Sequence, residues 1–261
     1  MAKRLTIVKL QPSHVLDWWG FLGAGGESLD KQYPTARRVV VEPIAALQRR
    51  SVEAQAAPWW SARRWRGERS DVIAEGDEQA GAAQLLWANM MLHAARDPAA
   101  VMARWHRALA VDGFVMFSCL GPDTLKELRE LYRRLGWSTP GTAFVDMHDL
   151  GDMMVHTGFA DPVMDQELVT LTWTDPAALL AELRTLGGNV SPQRHSGLRT
   201  PRWRGRLMSE IGALAGPDGR VHMSFEIVYG HAFKPVPRAR VSAETVVPVD
   251  ELRAMVRARR R

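Results

Sequence analysis

Two periods of apolar spacing recur along the chain. His14-Val-Leu-Asp17 is a short apolar run ending in an acid, followed by Gly20, Gly23, Gly25 and Gly26 and a polar stretch that suits a helix; the order reads as strand, glycine loop, helix. Arg38-Val-Val-Val-Glu42 is a β-branched run, and Pro43 with the helically spaced 44–50 predicts a second strand and a proline-opened helix. Asp71-Val-Ile-Ala-Glu75 and Gln84-Leu-Leu-Trp-Ala-Asn89 are the third and fourth strands, joined by a Gly- and Ala-rich segment. Asp97-Pro98 starts a helix with Val101, Met102, Trp105 and Leu109 on one face; Asp112-Gly113 is a turn and 114–118 a fifth strand. Gly121-Pro122-Asp123 is read as the cap of a helix whose stripe is Leu125, Leu128, Leu131, Tyr132 and Leu135.

Beyond Val145 the pattern changes. Asp146 to Thr157 reads as a helix. Val169, Leu171 and Trp173 alternate with threonines in one strand, and Met223, Phe225, Ile227 and Tyr229 with other residues in a second. Asp175 to Leu186 reads as a helix and Gly187 to Trp203 as a surface loop. Strands alternating with helices imply a parallel, helix-covered sheet, and two late alternating strands imply an antiparallel C-terminal edge. The expected fold class is thus a three-layer α/β sandwich, mostly parallel, with one domain over 1–240.

Composition adds limits. Hydrophobic residues make up 46% and charged residues 24%, enough apolar material for one α/β core. Cys119 is the only cysteine, which excludes an internal disulfide and a cysteine-cluster metal site, and we expect no bound metal. No apolar run approaches the roughly 18 residues of a membrane span, and the N-terminus lacks the pattern of a signal peptide. A cytoplasmic protein without a membrane partner is expected. The net charge is +5, and the basic and acidic residues from Lys234 onward account for all of it. A basic helix or tail over 241–261 therefore follows a near-neutral body, with Leu252, Met255 and Val256 on one face and arginines from Arg253 to Arg261; it suits an acidic protein partner. Trp59-Trp60-Ser-Ala-Arg63-Arg64-Trp65-Arg66 mixes rings and cations, but it is short and is read as packing, so a nucleic-acid partner is not expected.

A nucleotide-like ligand is expected beyond the carboxyl ends of the parallel strands. Glu42 stands about twenty residues past the glycines, where a strand-end acid accepts from ribose hydroxyls. A nicotinamide cofactor or S-adenosylmethionine would equally satisfy this pattern.

Several segments carry a family resemblance. Val15-Leu-Asp17 with its glycines resembles the first motif of class I, Rossmann-like methyltransferases, Val41-Glu42-Pro43 their ribose-binding strand end, and 109–114 their helix-to-strand turn. Four later segments, 117–129, 144–152, 156–163 and 226–232, resemble in order the malonyl-acyl-carrier-protein O-methyltransferases of biotin synthesis. The resemblance implies methylation of the free carboxylate of a malonyl thioester, with S-adenosylmethionine as cofactor and an acidic acyl carrier protein as partner. Positioning would dominate such a transfer, so no catalytic residue is assigned. By resemblance and placement, the cofactor residues would be Asp17, Gly20, Gly23, Gly25, Glu42, Glu75, Asp77 and Asn89. Arg129, Arg133 and His148 are substrate candidates, with Arg194 a further one by charge. Substrate-covering insertions are expected around 140–160 and 187–205. The motif's glycine positions two and four residues after Asp17 hold Trp19 and Phe21, and an indole there would crowd the cofactor's methionine portion. A binding protein without catalysis is therefore the alternative, and a nicotinamide oxidoreductase the third reading.

Overall fold

The computed structural model describes residues 1–55 and 71–237. The 59–66 aromatic stretch and the 241–261 basic tail lie outside the described residues.

Among the described residues seven strands form one sheet: β1 (His14–Trp18), β2 (Arg37–Glu42), β3 (Asp71–Ala74), β4 (Ala83–Ala88), β5 (Leu109–Leu120), β6 (Ala160–Trp173) and β7 (Val221–Phe233). Their spatial order is β3-β2-β1-β4-β5-β7-β6. The first five are parallel; β7 runs antiparallel between β5 and β6, which gives the expected antiparallel end. The α-helices among the described residues are α1 (Gly20–Gly23), α2 (Gly26–Gln32), α3 (Ala45–Gln55), α4 (Pro98–Ala108), α5 (Lys126–Arg134), α6 (Met147–Thr157), α7 (Pro176–Thr185) and α8 (Pro201–Gly212).

Alternation along the strands divides the core into layers, because successive side chains point to opposite faces. Val15, Leu85, Trp87, Phe114 and Met116 pack with Leu5, with Leu29 of α2 and with Tyr33 just beyond it, on one face. Leu16, Trp18, Leu86, Val115 and Phe117 pack on the other face with Trp105 of α4 and with Leu150 and Met154 of α6. A third cluster joins α5, α7 and α8 to Trp173, Val221 and Met223 at the antiparallel end. Among the described residues no helix is long and apolar enough to cross a membrane.

Four details differ from the sequence expectation. Asp112 adopts a left-handed backbone, φ 63°, inside a continuous β5; the turn is a bulge where the β4–β5 register shifts. Helix α5 begins at Lys126, not at the Gly-Pro-Asp segment, because that segment is tied to β7: Asp123 N–H donates to Glu226 Oε2 at 2.6 Å. The expected loop from 187 to 203 ends in α8, capped by Thr200 with a proline in its first turn. Strand β6 begins at Ala160, nine residues before the alternating stretch that signals it, since pairing with β7 holds its irregular first half. In the first stretch expected to cover substrate, α6 belongs to the core.

Candidate functional site

In the order β3-β2-β1-β4 the sequence reverses direction between β1 and β4, the position at which an open α/β sheet leaves a crevice beyond its carboxyl ends. Asp17 and Glu42 lie at the ends of β1 and β2; Glu75 and Asn89 directly follow β3 and β4. Register brings the acids side by side: Glu42 pairs with Ala74, and Glu75 N–H donates to the Glu42 carbonyl at 2.9 Å. The expected residues of this end therefore converge.

Glu42 is fully buried. Its Oε1 accepts from Ser51 Oγ at 2.7 Å and from the Phe21 backbone N–H at 2.8 Å, while Oε2 is buried without a donor. Phe21 belongs to α1, a single turn entered by Trp19 at φ 53° and left by Ala24 at φ 48°, both left-handed. Such a backbone is costly for residues with a Cβ, by about 1–2 kcal/mol each. Trp19 repays it through its ring, which packs partly buried against the main core and donates from Nε1 to Glu75 Oε2 at 3.0 Å. Arg104 approaches the other oxygen of Glu75 at 3.2 Å. The turn thus occupies hydrogen-bonding positions on both acids.

The glycines serve this close packing. A Cβ on Gly20 would stand 2.7 Å from the Asp17 carboxyl carbon, and one on Gly23 2.7 Å from the Asn89 carbonyl; at Gly25 it would collide with the Trp87 indole. Asn89 closes the turn from the β4 side, donating to the Gly23 carbonyl at 2.6 Å and accepting from Ser118 Oγ at 2.8 Å. Burial, opposed by Arg38, raises the Asp17 carboxyl to a pKa of about 6, with the nearby Glu42 charge adding to the rise. Arg38 Nη1 lies 3.3 Å from Asp17, and its Nε 2.9 Å from Asp30. Sequence reasoning missed Arg38 and Ser51. The signal for Arg38 is a cation at an alternating position of an apolar strand, on the face that Val15 and Asp17 share across the β1–β2 register. For Ser51 the helical spacing offers no such signal.

The remaining candidates lie apart. Asp77 is exposed beyond Glu75. Arg129 is committed to the carbonyls of Pro122 and Thr124, Arg133 pairs with Glu130 on the surface, and Arg194 donates to the Ser191 carbonyl. His148 is exposed on α6, bound to its cap Asp146 at 2.8 Å. The structure does not bring these groups to the acids.

Next to the carboxyl ends of β4 and β5 lies a cavity of about 210 Å³, walled by Leu92, His93, Cys119 and Leu150 and covered by the 142–145 segment. His93 Nδ1 accepts from the Leu120 N–H at 3.3 Å, and burial lowers its pKa to about 4, so the ring is neutral. Burial first, and the Glu226 charge second, push the Cys119 thiol to about 12, which leaves it an apolar wall group rather than a nucleophile. Among the described residues no cluster of three His, Cys, Asp or Glu could hold a metal ion.

Comparison with known proteins bears on this geometry. The malonyl-[acyl-carrier protein] O-methyltransferase of Gallionella capsiferriformans is 35% identical over 252 residues, covering 95% of this chain and 86% of that one. That of Laribacter hongkongensis is 36% identical over 245 residues, covering 92% and 82%. The chain belongs to the malonyl-[acyl-carrier protein] O-methyltransferase family. No protein-family model matches it. Among solved structures, the YcgJ protein of Bacillus subtilis superposes with a TM-score of 0.57 at 10% identity, covering 90% of this chain and 97% of that one. Phosphoethanolamine N-methyltransferase 2 of Haemonchus contortus, solved with S-adenosyl-L-methionine, superposes at 0.52 and 12% identity, covering 90% and 51%. These likenesses establish the class I methyltransferase fold for this member of the family.

Proposed function

We propose that the protein is an S-adenosylmethionine-dependent methyltransferase that esterifies the free carboxylate of a malonyl group carried on an acyl carrier protein, in the cytoplasm and in the biotin pathway. Glu42 carries the cofactor half of this reading: a buried strand-end carboxylate with one oxygen, Oε2, lacking a donor is suited to a ribose hydroxyl. Glu75 would face the adenine side, and Asn89 would support the turn that borders the ligand. When bound, S-adenosylmethionine supplies an electrophilic methyl carbon whose C–S bond breaks as the acceptor oxygen forms its C–O bond. The chain's own task is then to position and desolvate the acceptor, since a carboxylate is already a nucleophile and needs no general base. The cavity beside the ends of β4 and β5 is the acceptor's place in this reading; its un-ionised Cys119 offers no competing thiolate, and the acceptor nitrogen of His93, Nδ1, is engaged by the Leu120 N–H.

One observation favours a second reading, a binding protein without catalysis. Trp19 and Phe21 already hydrogen-bond the acids that the cofactor would meet, so the turn must lift before a nucleoside can enter. Titration calorimetry with S-adenosylmethionine and with its demethylated product, followed by mass spectrometry of malonyl carrier protein incubated with cofactor, separates the two. Heat of binding and the mass of one added methyl group support the enzyme; silence in both experiments supports the second reading.

A further inference from the structure

From Gly187 to Met208, across the loop before α8 and its first two turns, the chain holds five arginines and no aspartate or glutamate: Arg194, Arg199, Arg202, Arg204 and Arg206. The residues before Lys234 balance in formal charge, so a run of one sign there reflects placement and not composition. All five but Arg199 are exposed. Arg202 and Arg204 stand in the first turn of α8, which carries no acid, although the positive end of a helix dipole favours acids there. That placement costs the helix and favours an anionic visitor. Glu210, the next acid, is shared between Arg206 at 3.8 Å and Arg134 at 3.5 Å, so it leaves an excess of cations.

Two of the arginines rest on rings. Arg199 lies 4.4 Å from the centroid of Trp203 and Arg206 5.6 Å from that of Trp137, and stacking of this kind leaves a guanidinium with less rotamer freedom to lose on meeting a carboxylate. Beside them Leu198 is 98% exposed, an apolar tip among cations. An apolar contact with a charged rim is the make-up of a protein interface. The same loop is fastened to the segment that covers the cavity: Asn189 Nδ2 donates to the Thr139 carbonyl at 2.9 Å, Thr139 Oγ1 to Ser191 Oγ at 3.2 Å, and Arg199 Nη2 to Ser138 Oγ at 3.1 Å. Thr142, where the cavity wall begins in that segment, is three residues from Thr139 and hence within about 11 Å of it.

We propose that this basic face, with Leu198 at its tip and the arginines around it, is where the acidic carrier protein docks, beside the mouth through which its acyl arm reaches the cavity. The inference rests on the carrier-protein reading above and gives it a place on the molecule. It sets this face, and not the basic tail, as the main contact.

Binding of the apo-carrier protein, which lacks the prosthetic arm and so leaves the cavity out, tests the assignment on the full-length protein at low and moderate salt. Wild type should bind, and more weakly as salt screens the charges. Arg202→Glu/Arg204→Glu should lower affinity roughly tenfold or more and flatten the salt dependence, and Leu198→Ser should weaken binding with the salt dependence kept. The double variant should melt no earlier than wild type, because acids suit the start of α8; a role confined to holding the fold would make it melt earlier. Arg257→Glu/Arg259→Glu in the tail should weaken binding several-fold less. No binding by wild type, unchanged affinity in the double variant, or equal weakening by the tail variant overturns the assignment. So does a short DNA duplex that occupies the same face more tightly than the carrier. In methyl transfer, the double variant should lower kcat/KM for malonyl carrier protein relative to malonyl-pantetheine by about the same factor. Carrier binding lost in the double variant without any methyl transfer by wild type would uphold the docking face and sink the enzymatic reading; transfer with an unaltered ratio would do the reverse.

Discussion

The Trp19 indole donates from Nε1 to Glu75 Oε2 at 3.0 Å, which latches the turn after β1 onto the end of β3. Removing the indole should therefore loosen the turn. Trp19→Gly relieves a left-handed tryptophan, worth about 1–2 kcal/mol, but forfeits the hydrogen bond and a partly buried ring, together worth more. The variant should melt earlier and yet bind S-adenosylmethionine several-fold more tightly in calorimetry. Equal or weaker binding would mean that the turn does not compete with the cofactor.

Glu42→Gln preserves an oxygen for Phe21 N–H and Ser51 but puts an amide donor where Oε2 stands without one. Folding should persist, with cofactor affinity reduced by about tenfold or more as an acceptor becomes a donor. Retained affinity would remove Glu42 from the ribose site.

Two buried groups tilt stability against pH in opposite senses. Asp17, raised from 3.8 to about 6, holds its proton longer in the native state; its contribution is full below about pH 3.8 and is lost as pH rises through 6. His93, lowered from 6.5 to about 4, must be neutral in the native state; its contribution is full above about pH 6.5 and is lost as pH falls toward 4. Each amounts to a few kcal/mol, ~3 for a shift of about two units. Urea unfolding from pH 4 to 6.5 should show Asp17→Asn with a more positive stability slope than wild type and His93→Gln with a less positive one. Parallel slopes for all three proteins would contradict the assignment.

Gly25 begins the entry into α2 where a Cβ would collide with the Trp87 indole, itself almost fully buried. Gly25→Ala should cost about 1–3 kcal/mol, because a close-packed layer yields only by shifting the helix. Denaturant titration reads the loss directly; an unchanged midpoint would show that α2 moves freely.

Strand-end chemistry was legible in the sequence because it is local: Val-Leu-Asp17 and Val-Val-Glu42 each announce a strand and its terminal acid within a few residues. Arg38 between Asp17 and Asp30 was harder, since its role depends on the β1–β2 register, and Arg129 looked available until its carbonyl partners were known. Helix α8 was detectable in principle from Thr200-Pro201 and the spacing of Trp203, Leu207 and Ile211, but a Gly-, Ser- and Arg-rich preface masked it. The route of the turn was not readable at all, because strict spacing places its glycines wrongly. The structure reaches a compact turn by putting Trp19, not glycine, in the left-handed position.

Strand β7 is made last of the seven, yet it fills the gap between β5 and β6 and braces the chain after β5 through Glu226, whose carbonyl accepts from Gly121 N–H at 2.9 Å. A chain emerging from the ribosome and stopped near residue 220 would present the inner margins of β5 and β6 as two open edges, ready to pair with any neighbouring strand. Productive folding thus waits on the synthesis of β7. Premature release should yield aggregates rather than a smaller working protein, and a chaperone that shields nascent chains would matter most in that interval.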